Sequence, residues 1–450
     1  MRSSPWAPYR PTDAAPWDRG RAWTLRRRAG FGATWRELDR DVADGPMVAV
    51  DRILAGECRL DGVPADFGRT AELLGTSAAG SSDPRRLQAW WLYRMLATPD
   101  PLLERATLMW HDHFATSQLK VDDVAAMHRQ NETFRRLGMG PFGDLLRALL
   151  VDPALLAWLD APSNRKAKPN ENLARELLEL FALGVGRYTE ADVKATARAL
   201  TGRTVVRGAY KYRPDDHDDG AITLLGRTGP LDGDALVDRL LAQPAAADLL
   251  AARLCDAFLG EGVADDADRA ALAASLRADN LHVGRGIALV LRSERFHSPR
   301  NQASRVADPV GFVVGALRAL ERFDPRPSTL LLAEWADRLG QNLFFPPNVG
   351  GWPGGRAWLT GRAVVGRANF AAALAGGKLN ADARPPDLAA LAARVAPGVA
   401  GPALLDPLGR LLLGRPVPPA TAESLWPADA PDPLNHAVAL LLGRPEAQIC

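Results

Sequence analysis

The sequence is poor in cysteine, in histidine and in net charge, and it has no long apolar run. Its 450 residues include three cysteines, Cys58, Cys255 and Cys450. They are odd in number, far apart and outside any CxxC pair, which excludes a disulfide framework and a zinc ribbon. Cys255 lies in the apolar run 249–259 and is expected to be a core thiol, whereas Cys450 is expected to be exposed. The formal net charge is +2, from 55 basic and 53 acidic residues. A chain so balanced has no electrostatic reason to seek nucleic acid or an anionic membrane. Arginine far outnumbers lysine, which is read as composition and not as phosphate recognition. No stretch of about 18 or more apolar residues occurs, so no membrane insertion is expected. The opening MRSSPWAPYRPTDAAPWDRGRAW has no apolar core before a small-residue cleavage site, and the expected location is cytoplasmic. GxSxG, GxxxxGK[ST], HExxH and a GxGxxG after a strand are all missing, which argues against serine-hydrolase, nucleotide-binding and ordinary zinc-protease chemistry.

What is present is helical periodicity. Leu87, Trp90, Trp91 and Met95 recur at three- and four-residue spacings, as do Leu102, Ala106, Met109 and Trp110. The clearest helix is expected over 170–183, with Leu173, Leu177, Leu180 and Phe181 as its apolar stripe and Gly184 and Gly186 ending it. Thr189 and Asp192 form a capping-box pattern for the next helix, which is expected to stop at Gly202. Residues 203–226 read as two or three short strands in a hairpin. The predicted fold is mainly α, a large multi-helix domain with one short β-hairpin insertion around 203–226. Residues 1–20 are expected to be an extended arm, 21–375 the helical core, and 376–450 an Ala/Pro-rich helical segment packing on it. Residues 344–358, FFPPNVGGWPGGRAW, are expected to be an irregular loop serving as a lid or substrate wall.

Three polar segments are the candidates for chemistry. Two of the seven histidines fall in WHDHF, as His111 and His113. Residues two apart on a regular helix point about 200° apart, so both serve one site only if the helix ends there. Glu176 and Glu179 lie on one helical face with Asn172 a turn before and Arg175 beside them, a pattern that suits iron or manganese, or a solvated face with Arg175 as ion-pair partner. His217 and Asp218 stand in the acidic turn DDHDDG, which would suit a cation or merely a polar turn.

Taken together, the segments WHDHF, NENLARELLELFALGVGRYTEADVKATARALTG, HDDGAITLLG and LGQNLFFPPNVGGWPGGRAWL occur in an order that resembles the bacterial domain-of-unknown-function family numbered 1800. RAWTLRRRAGFGAT and VALLLGRPEAQ resemble that family's two ends, so the likeness spans about residues 20 to 448. The resemblance implies no assigned activity. It implies frequent export and, as a partner, a protein similar to the alkaline phosphatase superfamily. The family's usual HDxGxK pattern is broken here by Ile222, and Gly443-Arg444 replace a usual small pair.

The resulting expectation is a metal-dependent enzyme, a non-haem oxidoreductase with iron favoured over manganese or zinc. His111, His113, Glu176, Glu179 and His217 are the candidate metal ligands. Arg175, Glu179 and Asp218 are the candidate catalytic residues, and Asn170, Asn172 and Trp352 the substrate or supporting groups. The expected partner is a small-molecule or peptide substrate. The alternatives are a scaffold protein with a buried His/Glu hydrogen-bond network and a hydrolase, with metal or with Glu176 and His113 as acid and base.

Overall fold

Five helices in this chain start where an aspartate is followed by a proline. Asp83, Asp100, Asp152, Asp308 and Asp432 each accept a backbone N–H of the following first turn, and the next residue in every case is proline. The carboxylate satisfies a donor the helix leaves unpaired, and proline occupies a position whose own N–H would be unpaired. The computed structural model describes residues 4–58, 63, 65–323, 326–380 and 384–450, with 23 α-helices among them.

The expected mainly helical class is what the chain adopts. The β insertion is larger and divided. Arg203–Val206 pairs with Ala209–Tyr212, and Ile222–Leu224 pairs separately with Arg227–Gly229, both antiparallel. Each hairpin turns on two residues of positive φ, Arg207-Gly208 and Leu225-Gly226. Two such residues give the turn whose twist matches the strands, which explains two tight hairpins in place of one long one. Ile222 is a buried core residue opposite Gly229.

The buried side chains form two main clusters. One gathers Trp110, Phe114, Phe134, Phe142 and Phe181. The other holds Trp91, Phe312 and Phe370 together with the C-terminal helices. Helix Pro433–Gly443 lies along Gly361–Ala375, and the Trp23 indole donates to the Leu411 carbonyl at 2.8 Å. The N-terminal arm from residue 4 onward is strapped down. The Trp6 indole donates to the Asp268 carbonyl at 3.0 Å, and Tyr9 stacks on His297 at 4.5 Å.

Much of the arginine is structural. Arg26, Arg28, Arg318 and Arg367 are among the largest fully buried side chains. Arg318 donates to the carbonyls of Gly32 and Leu96, and Arg28 to those of Phe258, Asn301 and Cys450. A guanidinium offers five donors in a fixed plane and ties several chain segments at once, which an ammonium does less well. Cys450 is buried, not exposed as expected, because its backbone pairs with the 304–305 segment through Ser304, Arg305 and its own N–H. Cys255 is a core thiol as expected, and burial pushes its pKa up to about 12.

Among the described residues no helix is long and apolar enough to cross a membrane.

Candidate functional site

Helix Pro101–His113 runs unbroken to His113 and is capped by Phe114. The helix end therefore falls one residue too late to bring His111 and His113 together, and the two rings leave on different sides. Nε2 of His111 accepts the backbone N–H of Phe344 at 3.0 Å. Its ring packs against Trp91, Phe344 and Trp352, with centroids 5.1, 5.1 and 5.7 Å away. Burial alone pushes its pKa down to about 3. A neutral ring that accepts at Nε2 carries its proton on Nδ1.

His113 is used in the opposite sense. Its Nε2 donates to the Phe181 carbonyl at 3.2 Å, and its Nδ1 accepts from Arg253 Nε at 3.1 Å. Burial, reinforced by the Arg253 charge, holds its pKa well below the ordinary value. Phe181 lies in a π-helical stretch, Leu177–Ala182, that follows the short α-helix Asn172–Glu176. The expected single α-helix over 170–183 is thus wound more loosely in its second half, at the turn that meets His113.

Asp112 stands between the two histidines and faces a cleft. Oδ1 accepts the Trp352 N–H at 2.9 Å, and Oδ2 pairs with Arg253 Nη1 at 3.2 Å. Burial raises its proton affinity, and Arg253 opposes the rise. A Cβ on Gly351 would collide with Asp112, and Gly351 has φ +81°. The loop 344–358 is therefore pinned to the helix end at two backbone amides, Phe344 on His111 and Trp352 on Asp112. The HDH triplet works as a bracket joining that loop, Arg253 and the π-helix.

The other expected site residues are held elsewhere. Glu176 and Glu179 share a face, and burial with the Glu179 charge raises the Glu176 pKa. Glu179 accepts from the Tyr188 hydroxyl at 2.6 Å. Arg175 turns away to Glu190 at 2.9 Å and Glu171 at 3.2 Å, the ion-paired face allowed for by the sequence. Asn170 donates to Ser163 Oγ and Asn172 to Asp160, both tying down the 159–172 loop. Nδ1 of His217 meets the Thr201 carbonyl at 3.0 Å, and Asp218 pairs with Arg198 at 2.6 Å. That bond to Arg198 lowers the Asp218 pKa.

The expected metal ligands His111, His113, Glu176, Glu179 and His217 are not brought together. Among the described residues no group of three or more His, Cys, Asp or Glu side chains is placed to hold a metal ion. The physical reason is that Nε2 of His111 and both ring nitrogens of His113 are taken by backbone groups and Arg253, while Nδ1 of His217 is tied to the 201 turn. These residues do not fit the iron centre expected of them. The pairing of Glu176 with His113 as acid and base also lacks a contact between the two.

The cleft that Asp112 faces has a volume of about 440 Å³. Its walls are helix Pro101–His113, helix Pro244–Phe258, the 259–262 turn and the loop through Trp352 and Trp358. Arg105, Arg253, Arg269 and Arg305 enter it, as do Asp112, Asp256, Glu261 and Asp308. Of the residues expected at a site, Trp352 alone lines it. Sequence reasoning missed the remainder, although Arg253 and Asp256 interrupt an otherwise apolar run and Asp112 sits inside the motif that drew attention.

With this geometry in place, comparison with known proteins identifies the chain over residues 24–449 as a match to the family described as "Protein of unknown function (DUF1800)". The chain belongs to that family. No curated protein and no solved structure matches it.

Proposed function

We propose that this DUF1800 chain binds a small charged molecule in the cleft between helices Pro101–His113 and Pro244–Phe258, under the loop that carries Trp352. The observation that carries the reading is the bracket. Two buried neutral histidines and one carboxylate hold both the cleft's loop wall and its Arg253 in place. A pocket of several hundred Å³ with a few convergent polar groups and shifted carboxylates is the usual form of a ligand site. Asp112 and Asp256 both have raised pKa values, burial being the first cause in each case. The reading rests on recognition, because the histidines expected to bind metal already have partners.

The test is thermal denaturation against a panel of small organic anions, amines and amino acids. A binder raises the melting temperature by an amount that grows with the logarithm of its concentration over its Kd. The shift is expected in the wild type and expected to vanish in Asp256→Trp, which fills the cleft from a partly exposed position. A shift of equal size in Asp256→Trp places the binding elsewhere and contradicts the proposal.

A further inference from the structure

We infer that the cleft takes an amino-acid-like zwitterion, with its anionic group on the Arg305 guanidinium and its cationic group facing the Glu261 carboxylate. The inference rests on the cleft being a ligand site and names what that ligand carries. Six of the eight charged side chains in the cleft cancel in pairs. Arg105 meets Asp308 at 2.8 Å, Arg253 meets Asp112 at 3.2 Å, and Arg269 meets Asp256 at 3.1 Å. Among the described residues neither Arg305 nor Glu261 has an ion pair with an acidic or basic side chain.

Arg305 donates through Nη1 to the neutral Ala257 carbonyl. Its surroundings are over-supplied with positive charge. Arg27, Arg28, Arg105 and Arg305 line the recess behind the cleft floor, together with Asp308 and Cys450. Burial pushes the Cys450 thiol up, but the four arginines outweigh it and hold the thiol below its ordinary value.

Glu261 is the converse. It is exposed at the cleft mouth, lies against Gly355 of the loop, and donates its backbone N–H to the Ser304 carbonyl at 3.1 Å. The two unpaired charges are thus carried by backbone segments in direct contact, while their side chains turn to different walls. A ligand carrying one charge of each sign gives each of them a partner inside the cleft. Leu108, Met109 and Trp358 supply apolar wall for its body.

The experiment is titration calorimetry of the full chain with three probes of one shape: L-phenylalanine, hydrocinnamate, which keeps only the carboxylate, and phenethylamine, which keeps only the ammonium. L-Phenylalanine is expected to bind about tenfold or more tighter than either, one charge contact being worth roughly that factor. Glu261→Gln is expected to bring L-phenylalanine down to the affinity of hydrocinnamate and leave hydrocinnamate unchanged. Arg305→Gln is expected to weaken both carboxylates by about tenfold, with Arg305→Lys recovering part of the loss. Equal affinity for L-phenylalanine and hydrocinnamate, insensitivity to both substitutions, or no binding of any probe overturns the zwitterion. Single-charge binding that Asp256→Trp still blocks leaves the cleft reading standing, and binding that Asp256→Trp does not block removes both.

Discussion

His111 and His113 share a motif and a helix, yet they carry their protons on opposite nitrogens, and that follows from which backbone group each one meets. His111 accepts from Phe344, so its proton is on Nδ1, while His113 donates from Nε2 to Phe181. Both are neutral because a charged imidazole buried there would lose its hydration. The folded-state pKa of His111 lies near 3 against an ordinary 6.5, so the unfolded chain binds the proton more readily. Stability from this residue is therefore complete above about pH 6.5 and is lost as the pH falls toward 3, by a few kcal/mol at the acid end. Urea midpoints measured between these limits should fall with pH in the wild type and fall less in His111→Gln, whose amide oxygen can still accept from Phe344. His111→Ala leaves that N–H unpaired and empties a ring-sized space, and should cost about 3 kcal/mol at neutral pH by denaturant unfolding. The two histidines stood out in the sequence because they are scarce. Their directions were legible too, since a regular helix separates positions 111 and 113. What the residues could not show is that the helix lasts through His113, leaving Asp112 as the group that faces open space.

At the scale of elements, the loop 344–358 is held by its fit to a helix end more than by its own structure. Gly351 has positive φ and sits against Asp112, so Gly351→Ala should destabilise the protein by about 2 kcal/mol in thermal or denaturant unfolding. A Cβ on Gly350 would meet only the Asn348 side-chain oxygen, at 3.2 Å, and Gly350→Ala should change stability by less than about 0.5 kcal/mol. Equal effects would mean that the loop does not press on Asp112. The capping box at Thr189 and Asp192 was readable in the sequence and is formed. Asp192 also accepts the Leu225 N–H at 2.8 Å, which fixes the second hairpin's turn to that helix. Asp192→Ala should therefore cost about 2 kcal/mol where Thr189→Ala costs about 1. That second bond joins residues 33 apart in sequence and was not legible from either segment. The π-helical turns at Leu177–Ala182 were hidden for a related reason: an apolar stripe at three- and four-residue spacing looks the same until tertiary contacts loosen the winding.

For the whole molecule, helical class and family membership were written in the sequence, the first in periodicity and the second in the order of its polar segments. The cleft was not. Its charged lining comes from positions 105, 112, 253, 256, 261, 269, 305 and 308, joined only when distant helices pack. No local pattern marks Arg305 as unpaired or Glu261 as its neighbour. The HDH triplet stood out as a candidate metal site; in the fold its side chains hold a loop wall and an arginine of that cleft. The most direct test of this account is imidazole nitrogen NMR of the histidine-labelled chain at neutral pH, where seven histidines keep the spectrum readable. The account predicts a neutral Nδ1–H tautomer for His111 and a neutral Nε2–H tautomer for His113, both unmoved by equimolar zinc or iron(II). Imidazolium signals, the reverse tautomers, or a stoichiometric metal-induced shift of these two rings would contradict it.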